Sequence, residues 1–155
     1  MYQTSFSALT PLQKNLLEKA SEVMETAYNP YSNFFVGAAL HSLPSEIITG
    51  SNFENAAYGS TICAERSAVL RANAMGLRSF DKVAIIGRGK EYNSLEVVSP
   101  CGSCRQVLYE VSQISKMDLE IIMSSSKKDK IIVATIEELL PLAFGPLNLG
   151  LGEKK

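Results

Sequence analysis

Several kinds of residue and segment that mark particular protein classes are scarce in this sequence. It has one histidine and three cysteines among 155 residues, and its formal net charge is -1. Basic residues are adjacent only at Lys127-Lys128 and Lys154-Lys155. Proteins that hold a long nucleic acid need a basic surface, because neutralised phosphates supply most of their affinity. We therefore expect a small substrate and no nucleic acid polymer as partner.

Long apolar runs are also missing. No run approaches the roughly 20 residues of a membrane span, and residues 1–5 lack the basic and apolar parts of a signal peptide. An odd number of cysteines fits poorly with a secreted disulfide framework and better with thiols kept reduced for a metal or for catalysis. We therefore expect a cytoplasmic protein that uses no membrane.

The length and the composition of the chain suit one domain. Apolar residues make up 46% and charged residues 20%, which is ordinary for a globular protein. At this size a core can form without disulfides. We expect a single domain over residues 1–155 with a core at about 10–147, and a flexible C-terminal tail from Gly145 that is rich in glycine and proline.

The order of predicted helices and strands indicates an α/β fold. Thr10 and Pro11 are typical of a helix start, and apolar residues at three- and four-residue spacing extend that helix to about Ala27. Further helices are predicted at 63–75, from about 100, and from 135, where a capping box begins. Strands are predicted at 34–40, 47–52, 82–87, 120–123 and 131–134. We expect a three-layer α/β/α sandwich with a mixed five-stranded sheet.

All three cysteines lie in two short motifs at predicted helix starts. These are Cys63-Ala64-Glu65 and Pro100-Cys101-Gly102-Ser103-Cys104. Cysteines three residues apart share one helix face, and helix N-termini favour thiolates. A catalytic zinc site of this kind needs three thiolate ligands, a fourth position open for water, and a carboxylate beside them. The same order of residues is the signature of the zinc deaminases.

Positive charge is expected near three thiolates. Arg66 and Arg105 directly follow the two motifs, and Arg66 is the first choice. Gln106 can add a hydrogen bond to sulfur. His41 lies in the predicted hairpin, away from both motifs, and we expect a surface side chain there.

Each part of the pattern also has a simpler interpretation. Cys63 alone is more often a small buried apolar residue. The pair Cys101 and Cys104 alone could be a redox pair or half of a structural zinc site. A non-catalytic zinc protein would keep the cysteines but would have no need of Glu65 beside them, so this carboxylate favours an enzyme.

Longer segments around the motifs resemble the cytidine deaminase family, in particular its short-chain, homotetrameric type with three cysteine ligands. The likeness covers roughly residues 10–147 and is strongest at 31–39, 50–58, 63–66, 100–106 and 138–146. The resemblance implies hydrolytic deamination of cytidine and deoxycytidine to uridine and deoxyuridine in pyrimidine salvage. It also implies one zinc per subunit, and a cytoplasmic homotetramer that acts on a free nucleoside and water.

The resemblance implies a role for each matching residue. The residues that match the zinc ligands are Cys63, Cys101 and Cys104, and the residue that matches the proton shuttle is Glu65. Asn52 and Glu54 match the residues that bind the ribose, and Phe34 matches an aromatic residue that lines the pocket. The Ala64 backbone matches a contact to the pyrimidine edge, and Phe144 matches an aromatic residue that reaches a neighbouring subunit's site. The related blasticidin S deaminases share both motifs but lack the arginine after the glutamate and differ around residues 52–55. One alternative function is therefore a related zinc deaminase that acts on another aminated heterocycle, such as blasticidin S. A second alternative is a non-catalytic zinc-binding protein.

Overall fold

Six strands and four α-helices make up the regular structure of residues 1–151, which are the residues that this computed structural model describes. The strands are β1 (Tyr2–Thr4), β2 (Phe34–Ser42), β3 (Glu46–Ser51), β4 (Phe80–Gly89), β5 (Glu120–Ser124) and β6 (Ile131–Thr135). The helices are α1 (Pro11–Met24), α2 (Ala64–Ala74), α3 (Gly102–Ser115) and α4 (Ile136–Leu139). Short 3-10 helices lie at Phe6–Ala8, Tyr58–Ser60 and Pro146–Leu149.

All six strands belong to one sheet in the order β1-β6-β5-β4-β2-β3. The pair β4 and β5 is parallel, and the other four pairs are antiparallel. Strand β3 therefore runs in the same direction as β4, because both are antiparallel to β2. Helix α2 follows β3 and helix α3 follows β4. Both helices consequently begin at the same end of the sheet.

Two apolar clusters lie on the two faces of the sheet. Adjacent residues of a strand point to opposite faces, so Ala39 of β2 packs in the cluster that contains α1, whereas Ala38 packs in the cluster that contains α2 and α3. Leu16 and Leu17 of α1 and Leu108 of α3 are almost completely buried. This arrangement confirms the predicted α/β sandwich of three layers.

The predicted number of strands was wrong by one. The missed strand, β1, pairs antiparallel with β6 at the edge of the sheet, where Tyr2 lies opposite Val133. It has only three residues, which are exposed or half-buried, so no apolar alternation marks it in the sequence. Helix α1 also ends at Met24, three residues earlier than predicted.

The expectation of a surface position for His41 was wrong as well. His41 is only 6% exposed, and its Nδ1 shares a hydrogen bond with Asp81 of β4. Strand β2 lies inside the sheet, between β3 and β4. A polar side chain that is buried there needs a hydrogen-bond partner, and for His41 a neighbouring strand supplies it. That partner lies 40 residues away and cannot be inferred from the residues around His41.

The C-terminal segment is only partly described. Residues 146–149 form a 3-10 helix, and the Leu151 amide donates to the Pro146 carbonyl. Residues 152–155, which belong to the expected flexible tail, lie outside the described residues. The single domain with a loosely held tail stays a prediction. None of the helices within residues 1–151 combines the length and the apolar character needed to cross a membrane.

Close packing at Gly50 sets the position of helix α2. A Cβ atom at Gly50 would lie 2.6 Å from the Ala64 carbonyl oxygen and would also overlap the Ala68 amide nitrogen. Both are backbone atoms of α2, so they cannot move unless the helix moves. Glycine therefore lets the start of α2 lie directly on the end of β3.

We predict that Gly50→Ala lowers the free energy of unfolding by about 1–3 kcal/mol, because the added methyl group has to displace α2. Gly59→Ala is the matched control, since a Cβ at Gly59 would have no atom within 4 Å. That control should change the free energy by less than about 0.5 kcal/mol. Chemical denaturation at one protein concentration measures both, and equal stabilities of the two variants would contradict the role of Gly50.

Candidate active site

The three cysteines come together at the end of the sheet where α2 and α3 begin. Cys63 is the N-cap residue of α2, Cys101 is the N-cap residue of α3, and Cys104 lies in the first turn of α3. Their Sγ atoms all lie within 4.8 Å of one another. Cys104 is buried, Cys63 is half-buried and Cys101 is exposed. Two helix N-termini thus surround one group of three sulfurs.

The surroundings of the sulfurs favour negative charge on Cys63, to which the Cys104 thiol donates. A hydrogen bond from the Cys104 thiol, aided by Arg66, outweighs burial and holds the pKa of Cys63 well below its ordinary value. The same hydrogen bond, together with burial, raises the pKa of Cys104. Arg66 Nη2 lies 3.5 Å from Cys63 Sγ and donates to the Thr61 carbonyl at 2.9 Å. Arg66 therefore has the position expected of a residue that balances thiolate charge.

This set of donors fits a soft divalent metal. Thiolate sulfur is the ligand type that zinc prefers, and three protein ligands leave one position open in a tetrahedral site. The positive ends of two helices and the Arg66 guanidinium offset the charge that three thiolates bring. Cys63, Cys101 and Cys104 together are therefore a candidate metal site.

Glu65 lies beside the sulfur group in the first turn of α2. Its side chain is only 4% exposed. Burial raises the pKa of Glu65 to about 7, and the charge of Cys63 acts in the same direction. A carboxyl group in such surroundings can both take up and release a proton near neutral pH.

A cavity of about 340 Å³ opens over these groups and contains most of the predicted site residues. Phe34, Asn52, Glu54, Cys63, Ala64, Glu65 and Cys101 line it. Ser32, Val36, Thr61, Val98 and Ser99 also line it and were not predicted. Each of these five residues lies within about two positions of a predicted site residue or motif. Their closeness in the sequence to those residues was the one signal that could have found them.

Asn52 and Glu54 are held by the backbone around the cavity. Asn52 Oδ1 accepts from the Val36 amide at 2.8 Å, and its Nδ2 donates to the Phe34 carbonyl at 3.0 Å. Glu54 Oε2 accepts from the amides of Tyr31 and Ser32 at 2.9 and 3.2 Å. Burial alone would raise the pKa of Glu54, but these bonds and one from the Ser32 side chain outweigh it and lower that pKa. Glu54 is therefore an ionised acceptor at the cavity wall.

Three other candidate residues lie elsewhere. Gln106 is exposed, and its Nε2 donates to the Phe144 carbonyl at 2.8 Å instead of to a sulfur. Arg105 donates to the carbonyls of Pro100 and Leu139, so it fixes the segment before α3 instead of contacting a thiolate. Phe144 is 61% exposed and does not line this chain's own cavity within the described residues.

The fold and the site together define an α/β enzyme with a candidate metal centre of three cysteines and a buried carboxylate. Residues 11–120 match the sequence profile of the cytidine and deoxycytidylate deaminase zinc-binding region. The chain belongs to this family of deaminases, as the resemblance in its motifs indicated.

Relatives and solved structures agree with this assignment. The cytidine deaminase of Halalkalibacterium halodurans is 40% identical over 129 residues, which are 83% of this chain and 91% of that protein. The cytidine deaminase of Mycobacterium tuberculosis is 40% identical over 127 residues, or 81% and 84% of the two chains. The crystal structure of cytidine deaminase from Burkholderia pseudomallei has a TM-score of 0.76 at 39% identity, and the match covers 88% of this chain and 100% of that one.

We predict that Cys101→Ala and Cys104→Ala each abolish stoichiometric metal binding, because two thiolates cannot replace a site of three. Cys101 is exposed, so its loss leaves the packed core unchanged. Ser103→Ala, in the same helical turn, is the matched control and should keep its metal. Elemental analysis after extensive dialysis measures the content. A full complement of metal in Cys101→Ala would contradict the assignment.

Proposed function

We propose that this protein is a zinc-dependent deaminase that converts cytidine and deoxycytidine to uridine and deoxyuridine and serves pyrimidine salvage. The observation that carries the proposal is one cavity lined by the cysteine motifs, by Glu65, and by the pair Asn52 and Glu54. Its relatives in Halalkalibacterium halodurans and Mycobacterium tuberculosis are cytidine deaminases. An ultraviolet assay against cytidine, deoxycytidine, adenosine and cytosine, with zinc measured in the same sample, tests it directly.

Zinc is held in this proposal by Cys63, Cys101 and Cys104. When bound, it supplies a Lewis acid that makes a water molecule nucleophilic at neutral pH. Arg66 contacts the Cys63 sulfur and the Thr61 carbonyl, so it offsets thiolate charge and holds the loop before α2. A ligand set of three thiolates needs such a partner, because its excess negative charge would otherwise weaken the electrophilic character of the metal.

Glu65 moves the protons. It takes one from the attacking water and gives it to N3 of the cytosine ring while the oxygen adds to C4. It then carries the second proton to the departing amino group, so that cytidine and water yield uridine and ammonia. Glu65 lies in the first turn of α2, two residues from Cys63, which supports this role.

The remaining cavity residues recognise the nucleoside. Asn52 and Glu54 offer a donor and an acceptor to the sugar hydroxyls. Phe34 gives an aromatic face to the flat base, and the backbone of Ala64, which also lines the cavity, contacts the pyrimidine edge in this proposal. Because α2 begins at Ala64, the base contact and the proton shuttle belong to the same helical turn.

The charges at the cavity favour a nucleoside over its 5′-phosphate, which is the substrate class of the deoxycytidylate deaminases in the same family. Among the described residues, no lysine or arginine lines the cavity, whereas the ionised Glu54 does. A phosphate group would therefore meet repulsion without a compensating cation. Glu54 and Asn52 also support a substrate that carries a ribose, which argues against the blasticidin S alternative.

We predict that Glu65→Gln lowers kcat by about 10²–10⁴-fold or more. Glutamine keeps the shape of the side chain but cannot take up and release a proton as the carboxyl group does. Zinc content and nucleoside affinity should change far less. Glu46→Gln is the control, since Glu46 is exposed at the start of β3, at the other end of the sheet. Steady-state kinetics and equilibrium dialysis measure these effects. Deamination by Glu65→Gln within tenfold of the parent would exclude Glu65 as the shuttle.

We also propose that the protein is a homotetramer whose sites are completed across subunits. Leu70 in α2 and Met75 at its C-cap are 57% and 52% exposed, so the helix offers apolar side chains to another subunit. Phe144 is exposed and does not line its own chain's cavity as described over residues 1–151, so its position suits a contact in a neighbouring subunit's site.

Phe144→Ala should therefore raise KM, because the neighbouring site loses an aromatic contact. The fold should stay unchanged, because the Phe144 ring is exposed on its own chain. A mixture of Phe144→Ala and Glu65→Gln subunits tests the trans contact. Mixed tetramers contain sites in which a Phe144→Ala subunit supplies Glu65 and a Glu65→Gln subunit supplies Phe144, so parental KM should return in a fraction of sites. Light scattering gives the assembly state. A fully active monomer would refute the proposal.

A further inference from the structure

Tyr92 lies against the ring of Phe34, outside the cavity that Phe34 lines. The two ring centroids are 6.5 Å apart and the planes are tilted by 42°. This separation lies within the range of favourable aromatic pairs. Tyr92 is 64% exposed and belongs to the segment that follows β4. The nucleoside site proposed above gives no role to this segment.

The glycines at the end of β4 make room for both rings. A Cβ atom at Gly87 would lie 3.2 Å from Phe34 Cε1 and 3.1 Å from Val98 Cγ2, so the Phe34 ring rests directly on the strand. A Cβ at Gly89 would overlap the ring of Tyr92, whose Cζ would be only 2.5 Å away. Gly89 is also the register partner of Phe34. The rings of Phe34 and Tyr92 therefore lie next to each other over the paired strands β2 and β4.

Hydrogen bonds hold the Tyr92 segment at both ends. The Lys90 amide donates to the Asn33 carbonyl at 2.9 Å, next to Phe34. The Ser94 amide donates to Ser126 Oγ at 2.7 Å, and that hydroxyl donates to the Gly87 carbonyl at 2.7 Å. An exposed side chain on a segment fixed in this way can support a neighbour, because its backbone does not drift away from the strand.

We propose that Tyr92 is a positioning residue for nucleoside binding, which supports the Phe34 ring from outside and fixes the angle at which that ring meets the base. The inference rests on the proposed nucleoside site. Tyr92 does not line the cavity that holds Cys63 and Glu65 among the described residues. It therefore acts through Phe34, and its loss weakens binding while the chemical step continues.

The first test compares three tyrosine variants. Tyr92→Ala should raise KM for cytidine by roughly two- to tenfold, the range of one aromatic pair, with kcat changed less than twofold. Tyr92→Phe should restore most of the affinity, because the ring and not the hydroxyl makes the contact. Tyr2→Ala is the matched control, since Tyr2 is similarly exposed, at 57%, but lies on the edge strand β1.

A double-mutant cycle separates positioning from general destabilisation. Gly89→Ala should raise KM by displacing the Tyr92 ring, which is exposed and able to swing away, so the protein should still fold. In the Tyr92→Ala background the obstructing ring is gone, and Gly89→Ala should have no further effect. Additive effects of the two substitutions would overturn the inference, because they would show that Gly89 and Tyr92 act independently.

Equilibrium dialysis of cytidine supplies a readout that does not depend on turnover. With Glu65→Gln as the background, Tyr92→Ala should raise Kd by the same factor as it raises KM. An unchanged KM and Kd in Tyr92→Ala, in a parent that deaminates cytidine, would refute the role of Tyr92 alone. A parent protein that neither binds nor deaminates cytidine would instead refute the proposed function.

Discussion

The candidate site depends on two helices that begin at the same end of one sheet. Strands β3 and β4 run in the same direction on either side of β2, so the chain leaves both at one end and enters α2 and α3 there. Each helix has a cysteine at its N-cap position. Three sulfurs and a carboxylate can therefore converge although the 34 residues 66–99 separate the two motifs. Gly50 secures this arrangement, since only a residue without Cβ lets α2 approach β3 so closely.

Negative charge is concentrated at this point, and the fold compensates for it locally. Thiolates and a buried carboxylate are costly to desolvate unless positive groups lie near them. The N-termini of α2 and α3 supply partial positive charge, and Arg66 supplies a full one at 3.5 Å from the Cys63 sulfur. Arg105, which also follows a cysteine motif, is used differently, because its guanidinium binds the carbonyls of Pro100 and Leu139. Both arginines directly follow a cysteine motif in the sequence, but their hydrogen bonds differ. Arg66 contacts a sulfur, whereas Arg105 binds two carbonyls.

The parts of the fold and site that could be predicted are those with a local signal. Capping residues, apolar spacing and the two cysteine motifs predicted the helices, five strands and the candidate metal site. Strand β1 could not be predicted, because three mainly exposed residues form a strand only through pairing with β6, about 130 residues away. Burial of His41 depends on Asp81 from another strand, and the amide of Gln106 is directed by the Phe144 carbonyl. Such contacts between distant segments leave no pattern in the residues around them.

Most of the side chains proposed for recognition lie on a different part of the fold from those proposed for chemistry. Cys63, Glu65 and the α3 cysteines belong to helix starts, whereas Phe34 and Asn52 belong to the end of the β2–β3 hairpin. The Asn52 carboxamide binds both the Phe34 carbonyl and the Val36 amide, so the residue proposed to contact the sugar also fixes the strand that carries the residue proposed to contact the base. A displacement of either residue would therefore be transmitted to the other. Substitutions of Phe34 or Asn52 should therefore act mainly on affinity, while substitutions of Glu65 or the cysteines should act on turnover or on the metal.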